Sequence, residues 1–574
     1  LSAKSPEALQ ESAERLKAHL EEDPEQDLAD VAYSLLATRS TFAHKAVAVG
    51  ESREQLLGAL AAIAGEADSA SVARGMAREP QPPVFCFPGQ GSQWQGMAAR
   101  LIDESPLFER HIAECEEALS PHIEFSLRDV LLGKPDAASA DRIEVIQPAL
   151  FATMVALARL WEACGAVPAA TVGHSQGEIA AAHIAGALCL QDAARIAALR
   201  SQLIARLAGK GAMLSIARGA DGLEELLSPY AGQIEIAARN GPSSTILSAQ
   251  SDAAAELLAK CEQEGIRAKQ IPATIPSHSA MVEPLEEELL EALAPISPQS
   301  AKVPFHSTVA GGPIEASELS AEYWYRNLRQ PVLFEDAIAE LARSGQFAFI
   351  EISPHPVFAL PVQETLEANL KDPSRAAVIG TLRREEGGAE RFCLSLAQAH
   401  ANGAKIQWPA FFKGTGAKKT KLPTYPFQRK RYWLSATSGA TDARSIGQSD
   451  ADHPLLGAAL PIAGGEQMLF TGRLSLQTHP WLADHALAGT VLLPGTAFLE
   501  LALRAAEQLG AQQVAELTLQ APLILAEAGA AQIQVSVASP DEEGARQIQI
   551  HSRAEATEGE EAEWALNAEG LLSE

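Results

Sequence analysis

Thr171-Val172-Gly173-His174-Ser175-Gln176-Gly177-Glu178 fits Gly-x-Ser-x-Gly, with an apolar strand pattern before it and an Ala-rich helical pattern over 179–190 after it. A strand that turns sharply into a helix through this motif is the context of a nucleophile elbow. Glycine at both flanks lets the backbone pack closely. Ser175 then stands at a helix N-terminus, where free amides and the helix dipole favour negative charge. The plainer alternative is a tight turn that happens to hold a serine. A serine hydroxyl also needs a base. His174 is adjacent, but an elbow points neighbouring side chains away from its nucleophile. The remaining candidates include His278, in Ile275-Pro276-Ser277-His278-Ser279, and His355, in Ser353-Pro354-His355-Pro356. Spacing alone does not choose between them, and a chain with 14 histidines offers many structural ones.

Around the elbow, helical patterns alternate with short apolar strands from residue 84 to about 380, the signature of an α/β domain. It begins at the strand-like Val84-Phe85-Cys86-Phe87, which runs into Pro88-Gly89-Gln90-Gly91-Ser92-Gln93. Residues 211–275 differ in texture, with short strands at 213–216, 234–237 and 245–247 around a helix near 253–261, and read as a small inserted subdomain. Residues 1–80 pattern as a small α+β unit. Residues 381–434 form a connector that ends Leu422-Pro423-Thr424-Tyr425-Pro426-Phe427-Gln428-Arg429-Lys430-Arg431-Tyr432-Trp433. Residues 435–450, rich in Ser, Thr, Gly and Ala, read as a flexible linker. A last unit starts at His453, with a helix over about 495–508. Strands at Ile533/Val535/Val537 and Ile548/Ile550 are joined there by the turn Pro540-Asp541-Glu542-Glu543-Gly544.

The chain has 574 residues, with 45 Lys and Arg against 73 Asp and Glu, a net charge of −28. At roughly 100–200 residues per domain, that length allows about three to five domains. Apolar residues at 47% and charged residues at 21% exclude wholesale disorder and fibrous composition. The acidic balance argues against nucleic-acid binding, whose nonspecific part comes from neutralising phosphates. No uninterrupted apolar run reaches the ~18–20 residues that span a bilayer, so no membrane partner is expected. The opening Leu1-Ser2-Ala3-Lys4 lacks Met and any signal pattern, and reads as an excised piece of a longer chain. Six scattered cysteines without Cys-x-x-Cys suit reduced, cytoplasmic thiols rather than disulfides or a zinc site.

Phe87-Pro88-Gly89-Gln90-Gly91-Ser92-Gln93, Gly173-His174-Ser175-Gln176-Gly177 and Ile275-Pro276-Ser277-His278 occur in that order. Together they resemble the acyltransferase domain of modular type I polyketide synthases and the related malonyl-CoA:acyl-carrier-protein transacylases. The resemblance implies an α/β-hydrolase-like large subdomain (84–380) carrying an inserted ferredoxin-like small subdomain. It implies a ketosynthase–acyltransferase linker domain at 1–80, a post-acyltransferase linker at 381–434, and the N-terminal hot-dog half of a dehydratase at 451–574. It makes Ser175 the nucleophile and His278 the base, with His355 structural, and matches the amides of Gln90 and Gln176 to an oxyanion hole. A main-chain carbonyl near Pro331-Val332-Leu333-Phe334 is implied as a support for His278. The family's arginine 25 residues beyond the serine falls on Arg200, whose forked guanidinium suits a carboxylate. The implied reaction moves a dicarboxylic acyl group from CoA through acyl-Ser175 to the phosphopantetheine thiol of an acyl carrier protein, with no bound cofactor and no metal. The neighbouring ketosynthase and the rest of the dehydratase are the implied partners in the parent chain.

The extender unit is less defined. Methylmalonyl-selective relatives commonly carry Tyr-Ala-Ser-His and malonyl-selective ones His-Ala-Phe-His, whereas this chain has Ile275-Pro276-Ser277-His278. Ser277 leaves the room that a phenylalanine would fill, and with Gln176 and Arg142-Ile143-Glu144-Val145-Ile146-Gln147 it favours methylmalonyl, malonyl remaining open. One methyl group is worth only ~1–3 kcal/mol of discrimination. The seven basic residues over 411–433 read as an extended strap rather than a nucleic-acid patch. His485, in His-x-x-x-Gly-x-x-x-x-Pro with Gly489 and Pro494, matches the dehydratase base. Its acid would come from an absent second half, which leaves a sheet edge and an apolar face to be poorly ordered or self-associated. The rival readings are a serine hydrolase or thioesterase, which predicts no buried cation near Ser175, and a silent scaffold fragment.

Overall fold

The computed structural model describes residues 1–573 except 78, 272–274, 346, 374–375, 413, 430–442 and 556–561. Lys413, Lys430, Arg431, Tyr432 and Trp433 of the basic connector, and residues 435–442 of the linker, lie outside the described residues. The chain divides into two compact units, Leu1–Arg429 and Lys430–Glu574.

The elbow stands on a six-stranded sheet ordered Gly312–Pro313, Phe305–Ser307, Ala170–Gly173, Pro83–Phe87, Ala348–Glu351, Ala377–Gly380. All neighbours run parallel except the edge strand Gly312–Pro313. A parallel sheet covered on both faces needs strands that are apolar throughout rather than alternating. Pro83–Phe87 is buried along its whole length. Its Phe85 and Phe87 enter one core, with the helices Pro106–Leu119, Ile143–Ala163 and Leu190–Ala205. Val84 and Cys86 enter the other, with Phe334, Phe349 and Phe358. Among the described residues one helix, Ile143–Ala163, has the length and apolarity of a membrane span, and 83% of its apolar window is buried inside the fold.

The small subdomain forms a five-stranded sheet ordered Val332–Leu333, Ile234–Gly241, Ser244–Ala249, Ala212–Ile216, Ala268–Ile271. Its first strand comes from outside the 211–275 segment read as the insertion. Val332 and Leu333 pair in parallel with Ala238 and Arg239. Two residues are too short a run for any periodicity to mark them as a strand.

Residues 1–80 and the connector as far as Arg429 belong to one compact unit with the large sheet. The strands Ser2–Ala3, His44–Ala48 and Val72–Met76 form an antiparallel sheet. It packs on the helix Ala389–Ala401 so closely that a methyl group at Gly75 would lie 2.7 Å from the Ala401 backbone. The connector then runs back over residues 1–39. The Thr420 amide donates to Ser34 Oγ at 2.8 Å, and Arg39 Nη2 donates to the carbonyls of Leu422 and Pro423.

In the second unit a seven-stranded antiparallel sheet curls about the helix Gly495–Leu509. Phe470, Phe498, Leu501, Val535, Ile548 and Ile550 share its core. The anticipated apolar surface is present: Leu487, Leu499, Leu503, Leu519 and Ile524 are all exposed.

Candidate active site

Ser175 adopts φ +53°, a left-handed conformation that costs a non-glycine residue free energy. The two flanking glycines make the turn possible. A methyl group at Gly173 would lie 2.3 Å from Glu178 Cα, and one at Gly177 would lie 2.1 Å from the Phe87 carbonyl oxygen. No side chain fits at either position. The elbow points His174 away from Ser175, as the motif predicts. Its Nε2 meets Asn240 Oδ1 at 2.8 Å, and its ring packs on Phe334 and Phe358. Burial pushes its pKa down to about 4.

His278 lies 2.8 Å from Ser175 Oγ through Nε2. Its Nδ1 is 2.9 Å from the Gln330 carbonyl oxygen. A carbonyl can only accept, so Nδ1 carries the proton and Nε2 presents its lone pair to the serine hydroxyl. That carbonyl stands one residue ahead of the segment expected to supply it. Burial, then the charge of Arg200, hold the His278 pKa down to about 3, so the ring is neutral and able to accept. His355 is elsewhere: its Nδ1 accepts from the Arg384 amide at 3.2 Å in a separate turn.

Arg200, from the helix Leu190–Ala205, is 2% exposed. It donates through Nη1 to Gln147 Oε1 at 3.2 Å and through Nη2 to Ser175 Oγ at 3.4 Å and Asn327 Oδ1 at 3.5 Å. Its buried Nε has no partner. Burial lowers its pKa to about 10 while Glu178 acts in the opposite direction. Below that value it is a cation, and its long contacts leave it undersatisfied. Glu178 is wholly buried, and burial raises its pKa against the hydrogen bonds that stabilise the carboxylate.

The Gln176 amide opens the helix Gly177–Ala185, where backbone N–H groups lack intrahelical acceptors. Its side chain is buried, with Nε2 unpartnered. Gly89 approaches so that a methyl group there would lie 3.8 Å from Ser175 Cβ, which brings the Gln90 loop against the elbow. Gln90 itself is exposed and Ser277 half-buried. Sequence reading missed Glu178, Asn327 and the carbonyl of Gln330. A carboxylate in the first turn of an otherwise Ala-rich, buried helix marked Glu178, whereas nothing in the sequence marked Asn327. Among the described residues no cluster of His, Cys, Asp or Glu is arranged to hold a metal ion.

In the second unit His485 is exposed, and its Nδ1 lies 2.9 Å from the Leu492 carbonyl oxygen. Asp541 caps its own turn, Oδ1 accepting from the amides of Glu543 and Ala545.

A hydroxyl held against a neutral imidazole, beside a buried and undersatisfied guanidinium, can attack an acyl carbon whose substituent carries a negative charge. The similarities agree with this chemistry. Residues 84–406 match the family described as acyl transferase domain, 453–553 the polyketide synthase dehydratase domain, and 1–60 the CurL-like polyketide synthase C-terminal family. Polyketide synthase GfsB of Streptomyces halstedii is 47% identical over the whole chain, which spans 10% of that protein's length. Pikromycin polyketide synthase component PikAII of Streptomyces venezuelae is 46% identical, again over the whole chain and 15% of the relative. The crystal structure of the acyltransferase domain from module 8 of the salinomycin polyketide synthase is 47% identical. It covers 71% of this chain and 96% of its own, with a TM-score of 0.69. The chain belongs to the acyltransferase family of modular type I polyketide synthases and continues into the N-terminal part of a dehydratase domain.

Proposed function

We propose that the chain loads a dicarboxylic extender unit, methylmalonyl in preference to malonyl, from CoA onto Ser175 and passes it to an acyl carrier protein. Ser175 Oγ attacks the thioester carbon as His278 Nε2 takes its proton. The amides of Gln90 and Gln176 face the oxyanion, donors of a kind worth roughly 3–4 kcal/mol each. The C–S bond breaks, and the CoA sulfur leaves with the proton from His278. The phosphopantetheine thiol of the carrier then attacks the ester, giving its proton to His278, which returns one to Ser175 Oγ. Arg200 pairs with the free carboxylate throughout. The neighbouring ketosynthase of the parent chain receives the product for chain extension.

The observation that carries this reading is the buried Arg200 beside the Ser175–His278 pair, at 3.4 and 2.8 Å from the same hydroxyl oxygen. A hydrolase of plain esters has no use for such a cation. The half-buried Ser277 supports an acyl group with an α-methyl. Intact-protein mass spectrometry after incubation with methylmalonyl-, malonyl-, propionyl- and acetyl-CoA tests it. The expected result is a methylmalonyl adduct on the wild type and none on Ser175→Ala. A dominant malonyl adduct corrects the extender, and stable labelling of Ser175→Ala refutes the nucleophile. We further propose that His485, its Nε2 left free by the Leu492 carbonyl, is the base of a dehydratase completed by the rest of the parent chain.

A further inference from the structure

The arginine has a counter-charge that never touches it. Asn327 stands between them. Its Nδ2 donates to Glu178 Oε2 at 2.9 Å and to the Ser175 carbonyl at 3.2 Å, and its Oδ1 accepts from Arg200 Nη2 at 3.5 Å. A carboxylate and a carbonyl only accept, so the amide has one orientation. Glu178 is held in turn by the Thr308 amide, by Thr308 Oγ1 at 2.8 Å and by Tyr323 OH at 2.6 Å. Its oxygens are therefore engaged by three residues, Tyr323 and Asn327 from the helix Ala321–Arg329 and Thr308 from beyond the strand Phe305–Ser307, and cannot reorient toward Arg200 at little cost.

The separation has a physical consequence. A carboxylate in direct contact would occupy the donors that an incoming acyl carboxylate needs, and the arginine would cease to discriminate. With no counter-charge at all, a guanidinium this deeply buried would be costly to keep charged. One amide between them gives the cation support while leaving its Nε–H without an acceptor and its other donors in long, exchangeable contacts. We propose that Asn327 is a positioning residue that holds Glu178 at a distance as a remote counter-charge, and thereby sets how strongly Arg200 selects acyl groups bearing a free carboxylate. The inference rests on the role of Arg200 given above.

The test compares methylmalonyl-CoA with propionyl-CoA, which differ by that carboxylate alone, in the full chain, by initial rates of Ser175 loading. Asn327→Ala removes both arms of the bridge and opens the space through which Arg200 can move onto Glu178. The methylmalonyl-to-propionyl ratio is expected to fall by roughly tenfold or more. Asn327→Ser opens nearly the same space and replaces it should the alanine variant not fold. The decisive measurement is the double variant Glu178→Gln with Asn327→Ala. With the charge gone, Arg200 has nothing to move onto, and the ratio is expected to recover above that of Asn327→Ala. A merely structural role predicts the opposite, since two lesions in one network lower loading further. An unchanged ratio in a folded position-327 variant, or a double variant below the single one, overturns the inference while the Arg200 reading stands. A wild type that loads propionyl as readily as methylmalonyl overturns that reading and this inference with it.

Discussion

Arg200→Ala is the perturbation that separates an extender-loading acyltransferase from a general serine acyl-enzyme. The guanidinium is buried, its Nε is unpartnered, and its nearest acceptors lie at 3.2–3.5 Å. A carboxylate about 4 Å from it, at the effective dielectric of about 20 that suits protein sites, gains about 4 kcal/mol. Losing that interaction is expected to lower kcat/KM for methylmalonyl-CoA roughly a thousandfold, at about 1.4 kcal/mol per factor of ten. Propionyl-CoA should move the other way. Its acyl group leaves the arginine buried and unpaired in the wild type, a penalty of about 1–3 kcal/mol that the alanine removes, for a gain of roughly tenfold. A third readout follows from His278. Burial first, and Arg200 second, hold its pKa down to about 3. A base with a depressed pKa is already neutral above it, so wild-type loading carries no His278 inflection between pH 5 and 8. Removing Arg200 lifts one cause of the depression, and the acid limb should rise toward the ordinary histidine range. The assay is intact-mass loading kinetics with both donors across that pH window. Undiminished methylmalonyl loading with no gain for propionyl would sink the assignment.

His278→Ala should slow both loading and transfer by ~10²–10⁴, the usual worth of a positioned general base, while His355→Ala should act through melting temperature alone. The reverse pattern in folded variants would move the base to His355. Ser277→Phe should depress methylmalonyl loading more than malonyl loading, and equal losses would mean that residue 277 does not face the α-carbon. The chain should form no enoyl product from a β-hydroxyacyl pantetheine. Asp541, the only aspartate between His485 and the end of this sequence, is tied up in its own turn. Enoyl product lost on His485→Ala would show that an acid has been overlooked.

The elbow was legible because its chemistry is local. Two glycines four residues apart, a serine between them and a helix after them are all consequences of one turn, and the structure shows clashes under 2.5 Å for a methyl group at either glycine. The strand–helix alternation from residue 84 was legible for the same reason, since periodicity reports which faces are buried. What stayed hidden is non-local. Val332–Leu333 becomes a strand only because Ile234–Gly241 offers it an edge. Asn327 lies 152 residues from Ser175 and meets it only through the tertiary fold. The choice of His278 over His355 could not come from spacing. It came from resemblance; in the structure His278 Nε2 lies 2.8 Å from Ser175 Oγ, and His355 lies in a separate turn.

The partner behind the imidazole bears on selectivity as well as on rate. Many serine–histidine pairs place a carboxylate there, which fixes the tautomer and stabilises the imidazolium. Here the Gln330 carbonyl fixes the tautomer without a charge. A carboxylate in its place would put a second negative charge in the buried site and repel a bound acyl carboxylate. The neutral support removes this repulsion, and its cost is a weaker base. The substrate can restore part of what was lost. On the proposed pairing of its carboxylate with Arg200, the lesser of the two causes that depress His278, burial being the larger, is offset, and the base strengthens when the correct acyl group is seated. Propionyl-CoA brings no such charge. Its disadvantage should therefore appear in kcat as well as in KM, measured as pre-steady-state loading rates at saturating donor. A disadvantage confined to KM would mean that Arg200 binds the carboxylate without being linked to the base.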